Sequence, residues 1–304
     1  MRKLAVICAV MGLMAVVGVV QADIMWSSSS PDWLVGGPEI FKVDTFSGQV
    51  VTGSKWSYSE LNWIMSIADS GDYLYVAADK LSDAGSFPIV KINRSTGAIV
   101  SETDVASLLG RNYSHINALE YFNGKLYGVE NCTWDTTYRG NIIEMTLDSI
   151  TGDVTGASVG AYIGGYPAPD GALDFYNGSF YASDWKSGGD PGVSWIATIG
   201  AADIGDNTKN FDETLFTNPA SGLMDGWQFD MNGDLIAVSW QNTGLYKIDH
   251  LTGVTTTLYS SIGGVTSGHT MSGLDAVVPE PLTMLGLFFG LGSVGAYIRK
   301  RRMV

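Results

Sequence analysis

Between residues 23 and 278 the chain alternates short apolar runs with glycine-bearing turns and carries no sustained helical periodicity. Two stretches align without a gap: DGALDFYNGSFYASDW at residues 170–185 and DGWQFDMNGDLIAVSW at residues 225–240. Asp-Gly, Asn-Gly and a closing Trp fall at the same offsets in both. INALEYFNGKLYGVEN, residues 116–131, keeps the Asn-Gly, and IMSIADSGDYLYVAAD, residues 64–79, has a turn one residue longer. Each reads as two strands joined by a tight turn, because Asn-Gly tolerates the positive φ that hairpin turns require.

A second signature follows each hairpin: IFKVDTFSGQV from Ile40, IVKINRSTGAIV from Ile89, IIEMTLDSITGDV from Ile142 and LYKIDHLTGVT from Leu245. Strand, polar residue, Ser-Gly or Thr-Gly turn and strand again make a second hairpin. Gly48, Gly97 and Gly152 are 49 and 55 residues apart, and Gly253 lies 101 beyond Gly152. That is room for one degenerate copy, which SWIATIGAADIGD from Ser194 supplies. A period of roughly 50 residues with four antiparallel strands per period predicts an all-β chain folded as a β-propeller of about five four-stranded blades. MSGLDAVV near the C-terminus supplies an inner strand, and DIMWSSS and EIFKVD near the N-terminus supply outer ones, so one blade is expected to be closed by both ends. A pair of β-sandwiches is the alternative, but it needs no such period. The segment resembles the generic LYxID..TG repeats of quinoprotein-like and NHL-like propellers, a likeness that carries no function with it.

The two ends break the pattern. Arg2 and Lys3 precede an apolar run over residues 4–20, and Val20-Gln21-Ala22 offers a small-residue cleavage site, so residues 1–22 read as a secretory signal peptide. Residues 282–298 are apolar or small throughout. At about 1.5 Å per residue this segment spans roughly 25 Å as a helix, just enough to cross a bilayer core. Arg299, Lys300, Arg301 and Arg302 follow at once and orient it tail inside, body outside. Pro279 and Pro281 flank Glu280 ahead of the span and favour an extended, exposed peptide there.

Pro-Glu-Pro, a glycine-rich span and a terminal Arg-Lys-Arg-Arg cluster, in that order, resemble the PEP-CTERM sorting signal. The resemblance covers residues 278–304 only. It implies an exosortase as processing partner, transient residence in the inner membrane of a Gram-negative bacterium that makes exopolysaccharide, and delivery to the cell surface or beyond. The expected organisation is therefore signal peptide 1–22, propeller 23–277 and sorting signal 278–304.

Composition narrows the partners. Without the two end segments the body holds 11 basic and 30 acidic residues, a formal charge of −19. That excludes nucleic acid and anionic membrane surfaces, and favours cations or neutral, hydroxyl-rich ligands such as an exopolysaccharide. Cys132 is the single cysteine left once the leader is gone, so no internal disulfide forms.

Catalytic motifs are scarce: nothing matches GxSxG, HExxH, SxxK or a phosphate loop. DMNGD at Asp230 places its glycine too early for a calcium loop and reads as a hairpin turn. The starts of the inner strands carry Asp170 and Asp225, each before a glycine, with His115 and His269 at matching places. Two carboxylates and two imidazoles at the mouth of the channel would suit calcium or polar contacts to a sugar. The plainer account is turn chemistry for the aspartates and satisfied surface residues for the histidines. Two functions follow: an exported binding or structural module, or a calcium-dependent secreted enzyme of lyase or lactonase type acting on polysaccharide or small lactones.

Overall fold

The computed structural model describes residues 24–31, 37–80, 87–130, 140–162, 172–185, 193–205, 212–217, 226–230, 232–239 and 242–277. They form five antiparallel sheets. The first contains β5 (Leu61–Asp69), β6 (Tyr73–Lys80), β7 (Ile89–Asn93) and β8 (Ile99–Thr103); the second β9 (Ile116–Phe122), β10 (Lys125–Glu130), β11 (Asn141–Leu147) and β12 (Val154–Tyr162). The third contains β13 (Leu173–Tyr176), β14 (Ser179–Trp185), β15 (Val193–Gly200) and β16 (Asp212–Thr217); the fourth β17 (Gly226–Phe229), β18 (Leu235–Val238), β19 (Leu245–Ile248) and β20 (Thr255–Tyr259). The fifth joins the two ends of the chain. β21 (His269–Ala276) pairs with β1 (Ile24–Pro31), which pairs with β2 (Glu39–Asp44), whose outer neighbour comes in two pieces, β3 (Gln49–Val50) and β4 (Trp56–Ser57).

The first strand of each sheet touches the first strand of the next: β5 meets β9, β9 meets β13, β13 meets β17, β17 meets β21, and β21 returns to β5. A closed ring of five is a five-bladed propeller with its axis along those strands. Five apolar clusters fill the five gaps between blades, one per gap. Trp227 and Trp26 are the largest fully buried side chains and sit in two of them.

The turns form as the sequence predicts. Asn123 and Gly124 take φ of 51° and 79°, and Asn177 and Gly178 take 48° and 89°, the paired positive values of a type I′ hairpin. Asp230 Oδ1 accepts from the amides of Asn232 and Asp234, both at 2.8 Å, so DMNGD is a hairpin turn. In the second hairpin an Asp or Asn side chain closes the turn on itself. Asp44, Asn93, Asp148 and Asp249 each accept through Oδ1 from the amides two and three residues on. The glycine that follows must be glycine for two reasons, shown by Gly97: its φ is +72°, and a Cβ there would lie 2.5 Å from the Trp56 ring of the neighbouring blade.

Inner strands β17 and β21 approach closely at two glycines, where a Cβ on Gly226 would meet the Gly273 backbone at 2.7 Å. Both partners are main chain, so neither can yield without spreading the ring. Gly226→Ala should therefore cost about 1–3 kcal/mol, read as a lower urea midpoint with unchanged slope; an unchanged midpoint would show that the two strands separate freely.

Candidate functional site

The five inner strands run in one direction, so the same register position recurs around the axis. It is occupied by Ala68, Glu120, Asp174, Gln228 and Asp275, which face Tyr75, Tyr127, Tyr181, Ile236 and Trp26 on their second strands. Four of the five are polar, and all of these are buried. They lie near the ends of the inner strands, opposite the mouth that the sequence reading favours. The signal was present in the aligned repeats, as the third residue of ALEYFNG, ALDFYNG and GLDAVVP.

Two of these carboxylates clasp the next blade. Asp174 Oδ1 accepts from Gln228 Nε2 at 2.9 Å, and its Oδ2 accepts from the Phe229 amide at 2.6 Å. Two steps around the ring, Asp275 Oδ2 accepts a short hydrogen bond from the Asp69 amide. Ser66 plays the same part between the first and second blades, its Oγ accepting from the Leu119 amide at 2.9 Å. Asp69 itself accepts from Trp26 Nε1 and Arg94 Nε, both at 3.0 Å.

Burial sets the protonation of this group. It pushes Asp174 up to about 7, against the hydrogen bonds from Phe229, Phe175 and Gln228 that pull it down. Burial also holds Glu120 and Asp275 well above the usual carboxylate range, and the facing carboxylates add to it: Asp174 and Asp275 for Glu120, Asp69 and Asp174 for Asp275. Glu120 Oε2 and Gln228 Oε1 find no hydrogen-bond partner among the described residues. Burial between blades thus biases the axial carboxyls toward their protonated forms.

His115 and His269 both stand at the starts of inner strands, but each is taken up by its own surroundings. The His115 ring stacks on Phe87 with centroids 3.9 Å apart, and Nε2 touches Met65 Sδ. Burial lowers it to about 4, so the imidazole is neutral. The loop before it is tied down by Glu130, which accepts from Arg111 and Ser114 at 2.7 Å and from Asn141 at 2.8 Å. His269 Nδ1 lies 3.1 Å from Ser29 Oγ and 3.9 Å from Glu39, whose carboxylate also takes Lys55 at 2.8 Å and Thr266 at 2.7 Å. Burial lowers His269 too, with Glu39 opposing. Asp170 and Asp225 lie outside the described residues, as do Cys132, Pro279, Glu280, Pro281 and the Arg299, Lys300, Arg301, Arg302 tail. Among the described residues no three carboxylate, imidazole or thiol groups gather as metal ligands. No helix among them is long and apolar enough to cross a membrane.

No family model matches the chain, and no curated protein matches it. Solved structures with a similar fold include one from a nidogen/laminin complex, at 10% identity and TM-score 0.49 over 84% of this chain and 99% of that one. A PQQ-bound aldose sugar dehydrogenase from Streptomyces coelicolor aligns at 14% identity and TM-score 0.47, over 78% and 87% of the two chains. Myxococcus xanthus glutaminyl cyclase aligns at 17% identity and TM-score 0.41, over 79% and 84%.

The axial protons give a pH signature. A carboxylate whose folded pKa exceeds its unfolded value of about 3.9 stabilises the fold below that value, and the contribution is lost as pH rises to the folded pKa. For Asp174 the loss runs from about pH 4 to about pH 7. His115 has the opposite sign, favouring folding as pH rises from about 4 to 6.5, so the wild-type profile alone mixes the two. The difference between wild type and Asp174→Asn cancels His115 and leaves the Asp174 carboxyl together with its effect on Glu120 and Asp275. Measured by urea unfolding, the wild type's relative stability should fall by up to about 1.4 kcal/mol per pH unit across that window and level off above it. A difference independent of pH would mean that Asp174 is ionised in the folded protein.

Proposed function

We propose that this protein is an exported β-propeller that serves as a binding or structural module at the cell surface or in the extracellular matrix. It reaches that place through processing of residues 278–304 by an exosortase. The observation that supports this reading most is where the fold begins and ends. β1 starts at Ile24, two residues after the expected leader, and β21 ends at Ala276, three residues before Pro279. These two strands pair with each other, so both expected processing points fall just outside a ring that is already closed. Cutting there removes no blade and opens no edge, which is what a release step requires.

The charge of the body fits the same role. At −19 it repels anionic surfaces and remains soluble once released, leaving neutral polysaccharide as the partner it fits best.

Processing tests the proposal in an exosortase-bearing host. Replacing Pro279, Glu280 and Pro281 by Ala, Gln and Ala should leave a longer, membrane-sedimenting form on an immunoblot, with the wild type recovered as a shorter form outside the inner membrane. Identical processing of both would defeat the sorting assignment. For the partner, exopolysaccharide fragments should raise the melting temperature of the released body by mass action; calcium alone should not.

A further inference from the structure

The most exposed large apolar side chains on the described surface are Ile150, Leu251 and Phe46, at 90%, 76% and 65%. They are not scattered. Each is the second residue after the aspartate of its Asx turn, with amides bonded to Asp148, Asp249 and Asp44 respectively. Three of the five blades therefore present one apolar side chain at the same point, the tip of the third-to-fourth strand hairpin. In the first blade the equivalent residue is Ser95. The backbone amides under each tip are satisfied within the turn, so inserting the tip into an apolar medium strands no main-chain donor there.

Topology sets all three tips on one face. Inner strands end there, first-to-second turns lie there, and third-to-fourth turns return to it. In the blade that joins the chain ends the register is explicit: Ala276 faces Met25, Met25 faces Val43, and Asp44 begins the Phe46 turn. The Val277 amide donates to Ile24 O on this same side. The chain thus enters β1 and leaves β21 at the axis of the face that carries the tips, with residues 1–22 and 282–298 as its two apolar segments. Only residues 277–281 separate β21 from the second segment, a reach of at most roughly 18 Å at about 3.5 Å per residue.

From these observations we propose that the strand-end face rests on the lipid bilayer while the chain is anchored, with Phe46, Ile150 and Leu251 inserted at the interface and the strand-start face turned away. The inference rests on the anchoring role of residues 282–298 in the reading above. Asp44, Asp148 and Asp249 stand just behind the tips, which fits a zwitterionic headgroup layer and disfavours an anionic one. Three separate side chains bind weakly by themselves. A short tether supplies an effective concentration on the order of millimolar, so docking holds only while the tether is intact. Cutting the tail then releases the whole face.

The test uses the chain from Asp23 onward, with Cys132→Ser, in phosphatidylcholine vesicles carrying a lipid-borne quencher. An environment-sensitive dye is attached through Ile150→Cys, or through Glu60→Cys in the exposed connection before β5 on the other face. The dye at 150 should be quenched several-fold more than the dye at 60, and adding Phe46→Ser with Leu251→Ser should bring the two together. Equal quenching in a chain that floats with the vesicles overturns the docking and leaves the anchor standing. A chain that does not float overturns both. Shielding of the dye at 150 that grows with protein concentration, without lipid quenching, assigns the tips to a second copy and also overturns the proposal.

Discussion

The pairing of β1 with β21 is the constraint on which everything else depends. Each blade buries its two faces only against neighbours, so four blades in a row would leave two apolar faces open to water. The seven register pairs from Met25 to Pro31 join the two ends of the chain into one sheet and turn a row into a ring. Every gap then has two walls, and each of the five apolar clusters is complete. Closure also explains the serines at residues 27–30: flat against β21 and β5 there is no room for branched side chains, and hydroxyls supply bonds instead. Ser28 Oγ donates to Ser272 O, Ser27 Oγ donates to Gly273 O at 3.0 Å, and Ser30 Oγ accepts from the Ile64 amide at 3.2 Å.

A ring of parallel inner strands has a cost at its axis, because their inward edges carry amides with no strand beyond them. The short side chains at the repeated axial position answer it by reaching sideways to the next blade's backbone. Asp174 and Asp275 do so with carboxylates, and Ser66 does so with a hydroxyl two residues earlier on its strand. A carboxylate is a strong acceptor but an expensive one to bury charged, with several kcal/mol at stake for each ion. Burial raises the proton affinity of Glu120, Asp174 and Asp275, and the carboxylates facing Glu120 and Asp275 raise theirs further. On this account the axial acids hold the ring together, and their raised affinity for protons is a consequence of that duty.

Much of the fold was legible in the sequence because propeller blades are local. Asn123-Gly124 and Asn177-Gly178 declare their turns by composition, and the spacing of Gly48, Gly97 and Gly152 declares the period. Even the closing blade could be read, since MSGLDAVV and DIMWSSS are each half of something. The axial acids could not be read in the same way. Glu120 and Asp174 alternate with apolar neighbours, which in one strand looks like an ordinary solvent-facing position. Only the meeting of five strands makes that position interior. The surroundings of the histidines were illegible for the converse reason: His115 and His269 stand at strand starts as the sequence predicts, but a sequence does not show that Phe87, Met65, Ser29 and Glu39 lie against them.

The two faces of the ring are built under different rules. On the strand-end face three first-to-second turns are as short as chain geometry permits, two residues between β9 and β10, two between β13 and β14 and three between β5 and β6, while the third-to-fourth connections run from four residues between β2 and β3 to eleven between β15 and β16. Asp44, Asn93, Asp148 and Asp249 are taken up in closing their own turns there, and Phe46, Ile150 and Leu251 stand exposed beyond three of them. On the strand-start face the connections range from three residues between β4 and β5 to eight between β6 and β7, ten between β10 and β11, ten between β12 and β13 and twelve between β8 and β9. β1 begins and β21 ends on the first face, so the second carries neither end of the closed ring.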